Sequence, residues 1–307
     1  MTVHPQTAAF LSAYNASAPA IDYDTVTAAE LRRLFSIPKP EIVSARLRCV
    51  EARTVPGPAS PVGVRLYMPH GDGPFPLTLF IHGGGFCIGD VDITDGLCLF
   101  LAEEAGSLDV SVEYQRAPEA PFPAGLDDCW AVLQWLAKRG GEIGGDPSRI
   151  AVAGNSSGGN FAAVLAQRAI REGLSLRHQL LLFPVTDARM DHNSHGLFEG
   201  YFLTAAMMRW FWRQYLRSEV DVLDPRISPL LAADLSGLPP ATIFTAEFDV
   251  LRDEGEDYAR SLARAGVPVR IKRWEGQIRD FTLLRGVVDD ADIALRDAAA
   301  ALSGGFG

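Results

Sequence analysis

Apolar and polar residues alternate with period two across residues 46–53 and again across 62–68, on either side of a turn-rich stretch at 56–61. This predicts two early strands paired as a hairpin. Short apolar runs then recur at 75–81, 109–114, 150–153, 179–184, 241–245 and 269–273. Helical patterns separate them, the clearest at 95–105. Apolar strands alternating with helices predict a mostly parallel sheet covered on both faces, so the expected class is α/β with eight strands.

Two segments stand outside that alternation. Residues 1–40 mix alanine-rich helical pattern at 8–16 and 27–35 with Pro38 and Pro40, and strand pattern begins only after Ser44. Residues 187–225 contain a helix at 205–216 rich in methionine and aromatic side chains, apolar around most of its circumference and so expected to meet more than one neighbour. An ordinary core helix accounts for that pattern equally well. The functional alternative is a helical cap made of about 1–45 and 188–225, packed together over an apolar pocket in which Phe202, Met207 and Met208 meet substrate.

Composition narrows the field. A chain of 307 residues, 48% hydrophobic and 21% charged, can bury a large core as one domain, 1–307. Net charge of −10 without a lysine or arginine cluster argues against nucleic acid or an anionic membrane as partner, and favours a small molecule. Four cysteines without a C-x-x-C pair suggest reduced thiols used as core filler. Neither a secretion signal nor eighteen consecutive apolar residues is found. A cytoplasmic protein without a membrane span is expected.

The chemistry concentrates in Gly154-Asn155-Ser156-Ser157-Gly158, which follows an apolar strand and opens directly into a small-residue helix at 161–169. Ser156 must then sit at the apex of a tight turn, with the N–H groups and positive dipole end of the helix aimed at it. Strand, turn and helix around G-x-S-x-G make a nucleophile elbow, although a glycine-rich turn with an incidental serine would read the same in isolation. His82-Gly83-Gly84-Gly85-Phe86, directly after the run ending at Ile81, supplies the second part. Three glycines leave backbone N–H groups unobstructed, as an oxyanion hole requires. Neither a phosphate-loop nor a dinucleotide-binding glycine pattern is present.

With Tyr114-Gln115-Arg116-Ala117-Pro118-Glu119-Ala120-Pro121-Phe122-Pro123 and Asp249-Val250-Leu251-Arg252-Asp253-Glu254-Gly255, these motifs resemble the hormone-sensitive lipase family of α/β-hydrolase carboxylesterases, bacterial type, from about Ser44 to the end. The resemblance implies an α/β-hydrolase fold and hydrolysis of short- to medium-chain carboxylic esters, without metal or cofactor, and a homodimer is possible. It implies Ser156 as nucleophile and the N–H groups of Gly83, Gly84 and Ser157 as oxyanion hole. The family more often carries Asp and Ala where this chain has Asn155 and Ser157. Asp249, after the run 241–245, takes the position of the triad acid, and the order serine, acid, histidine supports it. Asp253, with Glu256 three residues on, reads instead as a capping box, and Asp187 as a border of the cap.

The expected histidine is absent. The loop after the last strand reads Trp274-Glu275-Gly276-Gln277-Ile278-Arg279-Asp280-Phe281, with Arg279 in the histidine's place and no histidine anywhere after Asp249. A guanidinium has donors and no acceptor, so it cannot take the serine's proton, and a bidentate pair with Asp249 is its expected role. His192 and His195 fall in the cap segment, where solvated polarity explains them better than catalysis. A metal site is not expected there, since the pair lacks a recognisable third ligand.

Three explanations of Arg279 remain open. The base was replaced deliberately; or the chain is a relative that binds without hydrolysing, as the plant gibberellin receptors of this family do after losing the same histidine; or the cation serves altered chemistry. The persistence of Ser156, Asp249 and the oxyanion glycines favours the first, a disabled carboxylesterase.

Overall fold

The computed structural model describes residues 2–36 and 46–307. β1 (Leu47–Val55) and β2 (Val62–Pro69) form the antiparallel hairpin that alternation predicts, with Val55 opposite Val62. β3 (Phe75–Ile81) and β4 (Leu108–Glu113) follow. β5 (Gly145–Asn155), β6 (His178–Leu182), β7 (Ala241–Phe248) and β8 (Val269–Ile278) complete a single eight-stranded sheet. Its order is β1-β2-β4-β3-β5-β6-β7-β8, with β2 antiparallel to both neighbours and every pairing from β4 to β8 parallel. β6 and β7 are buried at every position, as strands covered on both faces must be.

Helices cover the sheet in two layers. α3 (Asp95–Ala105) packs against α9 (Asp289–Phe306), while α4 (Ala124–Arg139), α5 (Ser157–Arg171) and α8 (Arg252–Arg264) pack on the strands from the other face. α3 ends where Gly106 turns left-handed, the usual helix stop. No described helix is long and apolar enough to cross a membrane.

The segments outside the sheet are α1 (Pro5–Ser17), α2 (Ala28–Leu34), a short turn of helix α6 (Ser194–Leu197) and α7 (Ala205–Tyr215). Thr27 caps α2 through a capping box with Glu30. α7 buries seven of its eleven residues because it has two neighbours. Toward the sheet, Tyr215 stacks on Phe86 at 4.0 Å, and toward the N-terminal arm Trp210 Nε1 donates to the Val26 carbonyl at 3.2 Å. Phe202 also meets Phe10 and Tyr14 of α1, with ring centroids 6.3 and 5.2 Å away. The part of the expected cap at residues 37–45, with Pro38 and Pro40, lies outside the described residues.

Candidate active site

The parallel strands deliver the candidate residues to one end of the sheet. β5 ends at Asn155, α5 begins at Ser157, and Ser156 between them has φ +60° and ψ −125°. That is a conformation an L-residue holds only when its surroundings fix it. Here the fixing is dense: the Ser156 N–H donates to the Leu182 carbonyl, and its own carbonyl accepts from Val185 and Asn160. A Cβ on Gly158 would stand 1.9 Å from the Ile81 carbonyl oxygen, so only glycine lets helix and strand approach this closely. Ser156 Oγ makes no hydrogen bond with any described residue.

Ser156 opens on a cavity of about 130 Å3. Its walls are Phe10 and Phe35 from the N-terminal arm, Phe202, Leu203, Met207 and Phe211 from the segment around α7, and Ile88, Ile93, Leu283 and Leu284. Its polar edge is Gly83, Gly84, Asn155, Ser156, Arg279 and Asp280. Met208, expected beside Met207 in the pocket, is not among the lining residues and is packed in the core. Neighbours on a helix point about 100° apart, so one of the two methionines had to turn away.

The glycine loop carries a second correction. Gly83 N–H donates to Asn155 Oδ1 at 2.8 Å, so it is not free for an oxyanion. The N–H groups of Gly84 and Ser157 meet no acceptor among the described residues and remain available. A Cβ at Gly83 would come within 2.8 Å of Ser156 Cβ, so here glycine is required by contact with the serine. His82, stacked on Tyr114 at 4.3 Å, is fully buried, and burial pushes its imidazole down to about 4. It is neutral at physiological pH and points its Nδ1 at the Gly83 carbonyl.

Asp249 follows the end of β7 and Arg279 follows the end of β8, the adjacent parallel strand. Both are 2% exposed. Arg279 Nη1 donates to Asp249 Oδ2 at 2.9 Å and Nη2 to the Phe183 carbonyl at 2.9 Å. The expected bidentate pair is therefore a single contact, because the second arm of the guanidinium is taken by a backbone carbonyl. Asp249 Oδ1 accepts from Leu251 N–H at 3.0 Å. Burial raises the Asp249 carboxyl above its ordinary value, and the opposing pull of Arg279 does not fully offset this. Asp280, which the sequence did not single out, accepts from Asn155 Nδ2 at 3.0 Å and lies 3.6 Å from Arg279 Nε.

The competing groups lie elsewhere. His192 contacts Asp187 at 3.1 Å and Asp257 at 3.3 Å; His195 lies 3.4 Å from Glu254; neither lines the cavity. Asp187, Asp191 and His192 stand close enough to share a cation, a grouping that His-x-x-His spacing did not suggest. Arg189 already neutralises Asp187 there through contacts at 2.5 to 3.1 Å. Asp253 is not a helix cap: it lies inside the first turn of α8, where its carboxylate accepts from Ser194 N–H at 2.9 Å and suits the helix dipole. Glu256 pairs with both arms of Arg273.

Residues 78–283 match a family model described as alpha/beta hydrolase fold. "Carboxylic ester hydrolase LipN" of Mycobacterium tuberculosis is 45% identical over 227 residues, covering 71% of this chain and 60% of that protein. "Ethyl acetate hydrolase" of Pseudomonas putida is 35% identical over 314 residues, covering 96% of each. Among solved structures, a mutant of esterase rPPE superposes with a TM-score of 0.94 at 37% identity, over 99% of this chain and 98% of that one.

Proposed function

The chain belongs to the α/β-hydrolase fold family, which has carboxylic ester hydrolases among its members, and from that premise we propose that it is a serine carboxylesterase scaffold disabled at its base. The observation that carries this reading is Ser156, held in a strained elbow with Oγ open to an apolar cavity beside the free N–H groups of Gly84 and Ser157. The segments 2–36 and 188–225 act as the cap that sizes the substrate. A cavity of about 130 Å3 suits short to medium acyl chains.

In the reaction Ser156 Oγ bonds to the ester carbonyl carbon, and the displaced π pair forms an oxyanion that the Gly84 and Ser157 N–H groups hold. Collapse expels the alcohol and leaves an acyl-enzyme, which water cleaves by the same route to release the acid. Each half-reaction needs a group that takes a proton from the attacking oxygen and returns it to the leaving one. Arg279 has no acceptor atom, and both of its terminal nitrogens are committed, to Asp249 and Phe183. Turnover is therefore strongly impaired, while Ser156, Asp249 and the oxyanion donors persist, as a deliberate replacement of a histidine base would leave them.

A second reading, a protein that binds a small ligand without cleaving it, draws support from the same pair. Arg279 and Asp249 satisfy each other within a buried site and leave the cavity intact above them. Reaction with diethyl p-nitrophenyl phosphate separates the two. With Arg279→His, the esterase reading expects fast, stoichiometric addition of a diethylphosphoryl group at Ser156, read by peptide mass spectrometry and lost in Ser156→Ala. No addition in Arg279→His would favour the binding protein.

A further inference from the structure

Asn155 occupies a place where its two ends face groups of opposite demand. Its Oδ1 accepts from Gly83 N–H at 2.8 Å, and its Nδ2 donates to Asp280 Oδ1 at 3.0 Å. A backbone N–H can only donate and a carboxylate can only accept, so an amide is the side chain of this size that serves both. An aspartate at 155, which the family more often carries, would satisfy Gly83 but set a second carboxylate about 3.0 Å from Asp280. Two carboxylates that close cannot both stay charged.

We infer that Asn155 and Asp280 are a matched pair that locks together three separate chain segments of the site: the glycine loop after β3, the serine elbow after β5 and the loop after β8. Gly83 is bound on one side and Asp280, the neighbour of Arg279, on the other, and Ser156 is covalently next to the residue whose amide joins them. The lock is long-range, spanning 125 residues between Asn155 and Asp280. Asp280 has φ +54°, a left-handed conformation that Asp and Asn tolerate better than most other non-glycine residues, and Arg279 Nε lies 3.6 Å from its carboxylate. Asn155 and Asp280 are positioning residues. They fix where the glycine loop stands relative to Ser156 Oγ and leave the bond-making to other groups.

This rests on the esterase reading only for its kinetic arm, so the test has two. In the chain as it stands, Asn155→Asp should lower the melting temperature, more at pH 8 than at pH 5, because the facing carboxylates share a proton in acid and repel when both ionise. Asp280→Asn added to Asn155→Asp should remove that pH-dependent loss by reversing the hydrogen bond between the pair. With Arg279→His present, Asn155→Asp should lower kcat by on the order of a hundredfold at unchanged KM, the cost of a misplaced reacting geometry. Asn155→Asp/Asp280→Asn should recover most of it.

A double variant no better than Asn155→Asp in melting overturns the pairing. A restored melting temperature without restored kcat, or a loss confined to KM, overturns the positioning role. If Arg279→His is itself inactive while the melting coupling holds, ester hydrolysis fails and the lock stands.

Discussion

Removing the Arg279 side chain tests whether the site is closed by a buried ion pair. In Arg279→Met the Asp249 carboxylate, 2% exposed, keeps only the Leu251 N–H as donor, and the Phe183 carbonyl loses the Nη2 donor. Breaking one side of a buried pair costs about 3–5 kcal/mol. With unfolding entropy of about 2.1 cal/mol/K per residue over 307 residues, 1 kcal/mol corresponds to roughly 1.6 °C, so Tm should fall by about 5–8 °C at pH 8.

The pH dependence fixes the cause. Burial already raises Asp249, and without Arg279 only the Leu251 N–H opposes that rise. A carboxyl with a raised folded pKa contributes stability that is present below its unfolded value, about 3.9, and is lost as pH rises through the folded one. The deficit of Arg279→Met relative to the parent should thus be small near pH 5 and grow toward pH 8, measured by calorimetry at half-unit steps. Arg279→Met/Asp249→Leu, which removes both charges, should recover most of the loss at pH 8. A deficit below about 1 kcal/mol, the value of an exposed pair, or one that does not change with pH, would refute the buried pairing and with it the reason Arg279 is held as a fixed cation.

Two further outcomes follow from side-chain placement. With Arg279→His present, Phe202→Ala or Met207→Ala should shift kcat/KM toward longer acyl chains in a p-nitrophenyl ester series, whereas Met208→Ala, outside the cavity, should keep the acyl profile and cost about 2–5 kcal/mol in urea unfolding. The Asp187 contact raises His192, and Glu254 raises His195 although burial opposes it; groups so shifted stabilise fully below about 6.5 and lose that contribution as pH rises through the folded values. The chain should therefore outlast His192→Asn/His195→Asn in melting by a wider margin at pH 6 than at pH 9.

The sheet was legible because period and burial are local properties of the chain. β3 and α3 fall on the residues that apolar run and helical pattern mark, and the elbow is readable because strand, glycine, serine and helix follow without a linker. What the sequence hid depends on partners far along the chain. Nothing near Gly83 announces that its N–H goes to Asn155, 72 residues on, and nothing near Asp280 announces Asn155, 125 residues back. The side-by-side methionines are equivalent in composition, which carries no direction, and the helix turns only Met207 to the cavity. Guanidinium chemistry alone makes Arg279 a fork on Asp249, but the Phe183 carbonyl, just past the end of β6, takes one arm.

The most direct measurement is kcat/KM of Arg279→His against the parent on a short-chain aryl ester such as p-nitrophenyl butyrate, with Arg279→His/Ser156→Ala as control. Losing the base of a serine triad costs on the order of a millionfold in turnover, so restoring it should raise kcat/KM by at least about ten-thousandfold, or about 5.5 kcal/mol of transition-state stabilisation. The control should abolish the gain. A rate within about tenfold of the parent, roughly 1.4 kcal/mol, or substantial activity in the parent itself, would contradict the account.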